Sequence, residues 1–234
     1  MTIVVSVVTP TYQRRRFIPA LLEVYRHQTF PKEQMEWIIL DDGRDSVEDL
    51  FQEAAKTIPH LRYLRQDEKM RIGAKRNRLN QEARGSIIIA MDDDDYYPPD
   101  RIQSVVDAFQ KNPQCDLAGS SEMYFYEMST KRLYSSGPFG PRHATNGTMA
   151  WRKRYSDQHR YDEYVTHAEE ASFLQNSPMI QLDPKKTILV MCHRDNTVEK
   201  NSTGQHPTWK RLPYQLEDLV SNAWLLAWYQ SFHT

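Results

Sequence analysis

The chain has 234 residues, 39% hydrophobic and 26% charged, with a net charge of -1 and a mean hydropathy of -0.73. That length and composition suit a single α/β domain with a sizeable core. The near-neutral charge excludes a general nucleic-acid binder, and no apolar run reaches the ~18 residues of a membrane span. Ile3 to Val8 is a short β-branched run that reads as a buried first strand; Met1 to Val8 lacks a basic leader and does not read as a signal peptide. Phe17 to His27 has helical spacing, with Phe17, Ile18, Leu21, Leu22 and Tyr25 on one face. Trp37 to Leu40 is a second strand ending in Asp41-Asp42-Gly43, Val47 to Ala55 a helix, Leu61 to Leu64 a third strand, and Gly73 to Ala83 a helix that Gly85 stops. Ser86 to Met91 is a fourth strand running into four aspartates, and Pro98-Pro99 opens a helix over Asp100 to Gln110.

The second half is less regular. Leu117 to Tyr126 and Lys131 to Tyr134 read as a hairpin, Gly137 to Gly147 as a loop, and Thr148 to Trp151 as a short strand. Ala168 to Leu174 reads as a helix, Ile188 to Met191 as a strand, Asn196 to Trp209 as a polar stretch, and Leu216 to Phe232 as a closing helix rich in Trp and Leu. Cys115 and Cys192 lie far apart in apolar segments and read as free thiols of a reducing compartment, so the expected location is cytoplasmic.

Strict strand–helix alternation implies a parallel, doubly wound sheet, whose ligands bind at the carboxyl ends of the strands. Three polar clusters fall at such ends: Thr9 to Tyr12, Asp41-Asp42, and Asp92-Asp93-Asp94-Asp95. A Gly-rich turn after the first strand is absent, which disfavours a nicotinamide-type dinucleotide site, and the P-loop motif is absent too. Crowded carboxylates repel, and a buried cluster of them calls for a hard cation such as magnesium, manganese or calcium; such an ion would neutralise a leaving diphosphate. The bland alternative is a solvated acidic turn that caps the next helix. Arg71, Lys75, Arg76 and Arg78 crowd the start of the Gly73 helix, where a phosphate is favoured. Arg14-Arg15-Arg16 reads as flanking a diphosphate or, the preferred reading, as surface.

The ordered set Val7-Val8-Thr9-Pro10-Thr11-Tyr12, Asp41-Asp42-Gly43, Arg76-Asn77, and Met91-Asp92-Asp93-Asp94-Asp95 with Pro98-Pro99-Asp100-Arg101 resembles the family 2 glycosyltransferases of the GT-A fold. Looser matches follow in Asn146 to Arg152, His167-Ala168-Glu169-Glu170 and His193 to Thr197. The resemblance implies a Rossmann-like, mostly parallel twisted sheet flanked by helices with a small acceptor-side β/loop region. It makes residues 1–110 a nucleotide-sugar half and residues 111–234 an acceptor half with a C-terminal helix. It implies transfer of a sugar from a nucleotide-diphosphate donor, UDP-sugar favoured, to a glycan or other hydroxyl acceptor, with inversion and a divalent cation, Mn2+ or Mg2+.

By position in the family's motifs, Thr9, Pro10, Thr11 and Tyr12 contact the nucleotide, with Tyr12 stacking on the base. Asp42, with Asp41 as second choice, reads the base or ribose. Arg71 and Arg76 face the donor; Asp92 and Asp93 serve ribose and water. Asp94 is the metal ligand, with His193 reaching metal or diphosphate, and Asp95 caps the helix. Glu170 stands at the general base, with Glu169 beside it; one acid works and the other is structural. Trp151, Trp209, Tyr124 and Tyr126 stack on acceptor sugars or belong to the core. Two other classes compete: a sugar-nucleotide nucleotidyltransferase, which should carry a Gly-rich basic loop where Thr9 to Tyr12 stands, and a non-catalytic nucleotide- or sugar-binding module.

Overall fold

The computed structural model describes residues 2–165, 169–196 and 208–231. In chain order these form β1 (Val5–Thr11), α1 (Ile18–Arg26), β2 (Met35–Asp41), α2 (Glu48–Ala55), β3 (Leu61–Arg65), α3 (Ile72–Glu82), β4 (Ile87–Ala90) and α4 (Arg101–Lys111). There follow β5 (Leu117–Gly119), β6 (Met123–Glu127), β7 (Arg132–Ser136), β8 (Ala150–Arg152), α5 (Lys153–Ser156), α6 (Glu170–Leu174), β9 (Ile180–Gln181), β10 (Leu189–Cys192), β11 (Trp209–Arg211) and α7 (Ala223–Ser231).

The main sheet has the order β3-β2-β1-β4-β8-β5-β9, and its first four strands are parallel. β8 enters antiparallel between β4 and β5. Because side chains alternate across a strand, each buried strand feeds two layers. Val5, Val7, Trp37, Ile39, Ile87 and Ile89 pack against α1, α2 and α4 on one face. Val8, Ile38, Leu40, Ile88 and Ala90 pack on the other with Leu79 of α3, Trp151 and Phe173 of α6. Burial on both faces explains why these strands read as continuous apolar runs rather than alternating ones.

Beside it lies a second, four-stranded sheet, β10-β6-β7-β11. The expected hairpin beginning at Leu117 is therefore divided. β5 stays in the main sheet, and the chain bends through Ser120 to Glu122 before β6 pairs with β7. The bend is held locally: Ser120 N donates to Thr148 Oγ1 (3.1 Å) and Ser121 N to Gln181 Oε1 (2.9 Å). The closing helix also starts late. Asn222 Oδ1 accepts from Leu225 N (2.8 Å), the bond of a helix-capping residue, so α7 begins at Ala223 rather than at Leu216. Its proposed last residue, Phe232, lies outside the described residues, as do Met1, His167, Ala168 and positions 197–207 of the polar stretch. No helix among the described residues is long and apolar enough to cross a membrane.

Candidate active site

Parallel pairing brings the polar strand ends together. Thr11 lies opposite Asp41 in the β1–β2 ladder, and Val8 opposite Ala90 in the β1–β4 ladder, so all three clusters reach the same edge. Their side chains then divide into groups with different work.

The β1 and β2 ends form a buried polar floor. Thr9 Oγ1 accepts from Trp37 Nε1 at 2.9 Å and Pro10 is buried beside it. Asp41 accepts from Gly43 N (2.8 Å), Val47 N (3.1 Å) and the Tyr63 hydroxyl (2.6 Å), with Arg65 Nη1 3.4 Å away. Asp41 thus holds the turn after β2 and the start of α2. Asp42 accepts from Met70 N at 2.6 Å and from the Lys75 ammonium, which also donates to the Thr11 carbonyl at 2.9 Å. Burial pulls the Lys75 ammonium below the usual lysine value, although the facing Asp42 works the other way. Tyr12, half-buried, has Lys69 Nζ 4.3 Å from its ring centroid.

The four aspartates after β4 divide among three partners: Arg76 for Asp92, Arg14 for Asp93 and Asp94, and the β10 backbone for Asp95. Asp92 N donates to the Tyr97 hydroxyl (2.8 Å), and its carboxylate lies 3.6 Å from Arg76 Nη1. Gly147 is packed so closely here that a Cβ would stand 3.0 Å from Asp92 Oδ2 and 2.8 Å from Ile188 Cδ1. Asp93 is buried and lies 3.6 Å from Arg14 Nε. Burial and then the Asp94 charge push its carboxyl well above the usual range, against the pull of Arg14. Asp94 lies 3.5 Å from Arg14 Nη2 and 3.3 Å from His193 Nε2. Asp95 does not cap α4: it accepts from Met191 N at 2.8 Å, tying the acidic turn to β10, while Asp100 occupies the position before the helix.

His193 is buried and stacks on Phe17, with ring centroids 4.6 Å apart. Asn196 braces it, donating from Nδ2 to Nε2 (3.0 Å) and toward Asp94 Oδ2 (3.4 Å). His193 Nε2 and Asp94 Oδ2 thus lie 3.3 Å apart, with Asn196 Nδ2 within reach of both. Carboxylate plus imidazole suits Mn2+, and a Mg2+ or Mn2+ held by one or two side chains takes its other ligands from water and phosphate. The residues therefore fit the expected ion. Among the described residues no group of three or more His, Cys, Asp or Glu side chains gathers as a ready metal site.

Arg76 links the acidic turn to the acceptor side. Its Nε donates to Glu169 Oε1 at 2.7 Å while Nη1 faces Asp92. Glu169 is buried and engaged. Glu170 is half-buried; its own backbone N–H donates toward its carboxylate, and no ion pair engages it among the described residues. Burial above all, then Glu169 and Asp92, raise its carboxyl above the usual glutamate value, with its own backbone N–H and Arg76 opposing.

The acidic turn, His193, Arg76, Glu169 and Glu170 thus share one edge with the polar floor. Arg71 stands apart. It precedes α3 with extended backbone (φ -72, ψ 150), so its side chain leaves the helix and donates to the Tyr164 carbonyl at 3.3 Å. Trp151 is buried in the core, and Trp209 packs on Phe125 with centroids 4.6 Å apart. Of the arginine run, Arg15 pairs on the surface with Asp45 and Asp49, and Arg16 with Asp195. Arg14 instead reaches the aspartates. The signal for it was its place three residues past the end of β1, with Gln13 in a left-handed turn (φ 58) that redirects the chain. Lys75 and Asn196 were likewise not singled out for the work they do.

Residues 6–173 match the family described as Glycosyl transferase family 2. An uncharacterized glycosyltransferase of Haemophilus influenzae is 26% identical over 150 residues, 58% of this chain and 49% of that protein. The chondroitin synthase of Escherichia coli is 31% identical over 109 residues, 46% of this chain and 16% of that protein. The chain thus spans half or less of the length of these relatives. Among solved structures, S. aureus TarS 1–349 in complex with UDP-GlcNAc superposes with a TM-score of 0.68 at 18% identity, covering 83% of this chain and 60% of that one. The mannosyltransferase PcManGT of Pyrobaculum calidifontis, in complex with GDP-Man and Mn2+, gives 0.65 at 16% identity, over 82% of this chain and 57% of that one. The expected GT-A architecture, a mostly parallel sheet flanked by helices, is the one observed.

Proposed function

Because the chain belongs to glycosyl transferase family 2, we propose that it transfers a sugar from a nucleotide-diphosphate donor to a hydroxyl acceptor by single displacement with inversion. Residues 1–110 serve the donor and residues 111–234 the acceptor. A UDP-sugar is the favoured donor; similar folds are known in complex with UDP-GlcNAc and with GDP-Man. The observation that carries the reading is the Arg76 bridge: it engages Asp92 and Glu169 together and leaves Glu170 as a carboxylate of raised pKa beside the acidic turn.

In this reading Thr11, Tyr12 and the braced Asp42 receive the nucleoside, with Asp92 and Asp93 toward ribose and water. Asp94 and His193 hold Mn2+ or Mg2+, which when bound offsets diphosphate charge. Arg14 lies against the same aspartates and Arg76 against Asp92, so both stand ready to meet negative charge as the bond from anomeric carbon to diphosphate oxygen breaks. Glu170 takes the proton of the acceptor hydroxyl as that oxygen attacks the anomeric carbon. Glu169, held by Arg76, keeps the helix start and the guanidinium in place.

The test is a thermal-shift screen of nucleoside diphosphates and nucleotide sugars with and without manganese. A ligand at 100 times its dissociation constant adds about 2.7 kcal/mol, which a melting scan resolves. A metal-dependent shift with one nucleotide supports the donor site and identifies the base; no shift with any of them removes the reading.

A further inference from the structure

Tyr164 is 82% exposed, the most exposed large hydrophobic side chain among the described residues. Solvent-facing aromatics on loose tips are unremarkable, but this ring stands on an anchored backbone. Tyr164 N donates to Asp162 Oδ1 (2.7 Å), and Asp162 N donates to Ser172 Oγ (2.8 Å). Ser172 Oγ in turn donates to the Glu169 carbonyl (2.6 Å). From the other side, Asn77 Nδ2 donates to the Tyr161 carbonyl and to Glu163 Oε1, each at 2.9 Å. α3 approaches so closely that a Cβ on Gly73 would stand 2.2 Å from the Asp162 carbonyl oxygen.

The ring is therefore placed, not stranded. Arg71 backs it: the guanidinium carbon lies 5.7 Å from the ring centroid, and Nη1 donates to the Tyr164 carbonyl. The same hydrogen-bonded chain, through Ser172, runs to the start of α6, where Glu170 stands. That chain ties the Tyr164 backbone to the helix start that carries Glu169 and Glu170.

We propose that Tyr164, backed by Arg71, is an acceptor subsite on which a pyranose ring stacks, so that the acceptor is a carbohydrate. The inference rests on the transferase reading above and narrows its acceptor. A flat π face carries negative charge and attracts the weakly positive C–H face of a pyranose, as it attracts the positive edge of another ring. Arg71 has further N–H donors for sugar hydroxyls at the ring's rim. A lipid chain would want a continuous apolar surface; here one ring stands among Arg71, Asp162 and Glu163, which suits a ligand with one apolar face and a polar edge.

The experiment uses the full chain and a panel of methyl pyranosides as probes. Saturation-transfer NMR reads glycoside binding, and nucleotide release from UDP-GlcNAc or GDP-mannose reads turnover. The expected result is that at least one pyranoside binds, that Tyr164→Ala raises its KM about tenfold, the equivalent of ~1.4 kcal/mol, with kcat little changed, and that Tyr164→Phe restores it. Arg71→Met should fall between. The ring is too exposed for its removal to unfold the chain. If no pyranoside binds the wild-type chain, or binding is equal in Tyr164→Ala, the subsite is overturned. If pyranosides bind through Tyr164 but no nucleotide sugar is turned over, the subsite stands and the transferase reading falls.

Discussion

Arg76 donates from Nε to Glu169 Oε1 at 2.7 Å, and this one bond separates two adjacent carboxylates into one held by a guanidinium and one without an ion pair among the described residues. Adjacent acids at a helix start project in different directions, so they cannot share a task. Glu170→Gln should lower turnover by about 10²–10⁴-fold, the usual worth of a general base, while nucleotide binding by calorimetry is unchanged. Glu169→Gln should weaken the Arg76 anchor and lower turnover less. Equal turnover in Glu170→Gln and wild type would place the base elsewhere.

The pH profile follows from the raised Glu170 carboxyl. A base must be ionised, so kcat should fall on the acid side at a pH above the ordinary glutamate value of 4.5. Glu169→Gln removes one of the charges that raise it and should move that limb to lower pH. Stability runs the other way. Ionised Glu170 is disfavoured in the folded state relative to the unfolded one, so it costs stability above its folded pKa, and that cost vanishes as pH falls below 4.5. Glu170→Gln should therefore melt higher than wild type at pH 7 and equally at pH 4; a lower melting point at pH 7 would contradict the burial argument.

Arg14 and Asp94 make a second test. Asp94→Ala should abolish metal-dependent turnover, and full activity without added metal would remove the metal assignment. Arg14→Met deletes the cation that lies 3.6 Å from Asp93 and 3.5 Å from Asp94. It should cost about 10²–10³-fold in kcat, as loss of a preorganised charge stabiliser does. Because Arg14 also offsets repulsion between the aspartates, Mn2+ affinity read by calorimetry should rise in Arg14→Met; a fall would mean that the arginine assembles the site rather than balancing it.

Asp42 and Lys75 are a buried pair, 2% and 4% exposed. Removing one partner strands the other's charge, so Lys75→Met should cost about 3–5 kcal/mol in urea denaturation. The double variant Asp42→Asn with Lys75→Met should recover part of it. If Lys75→Met costs nothing, the pair does not brace the nucleoside floor.

Gly73→Ala places a methyl 2.2 Å from the Asp162 carbonyl oxygen, which is backbone and cannot swing aside. The cost should be about 1–3 kcal/mol of overpacking. The loop that carries Tyr164 should move with it, lowering turnover while the nucleotide-dependent thermal shift persists.

The sequence by itself determined the alternation of strands and helices, the placing of three polar clusters at strand ends, and the family motifs over the first half. These are properties of local periodicity and of parallel pairing, which any chain of this pattern must obey. Even the division of each strand between two core layers follows from its two-residue period. Other features needed coordinates. Four consecutive aspartates look alike in one dimension; only packing turned Asp92 to Arg76, Asp93 and Asp94 to Arg14, and Asp95 to the β10 backbone. Arg14 and Arg15 look alike too, and a left-handed turn at Gln13 sends one to the acidic turn and the other to surface carboxylates. The bend between β5 and β6 and the meeting of Arg76 with Glu169, 93 positions along the chain, are long-range. Such contacts depend on which side chains a third element leaves room for, and no local pattern encodes that.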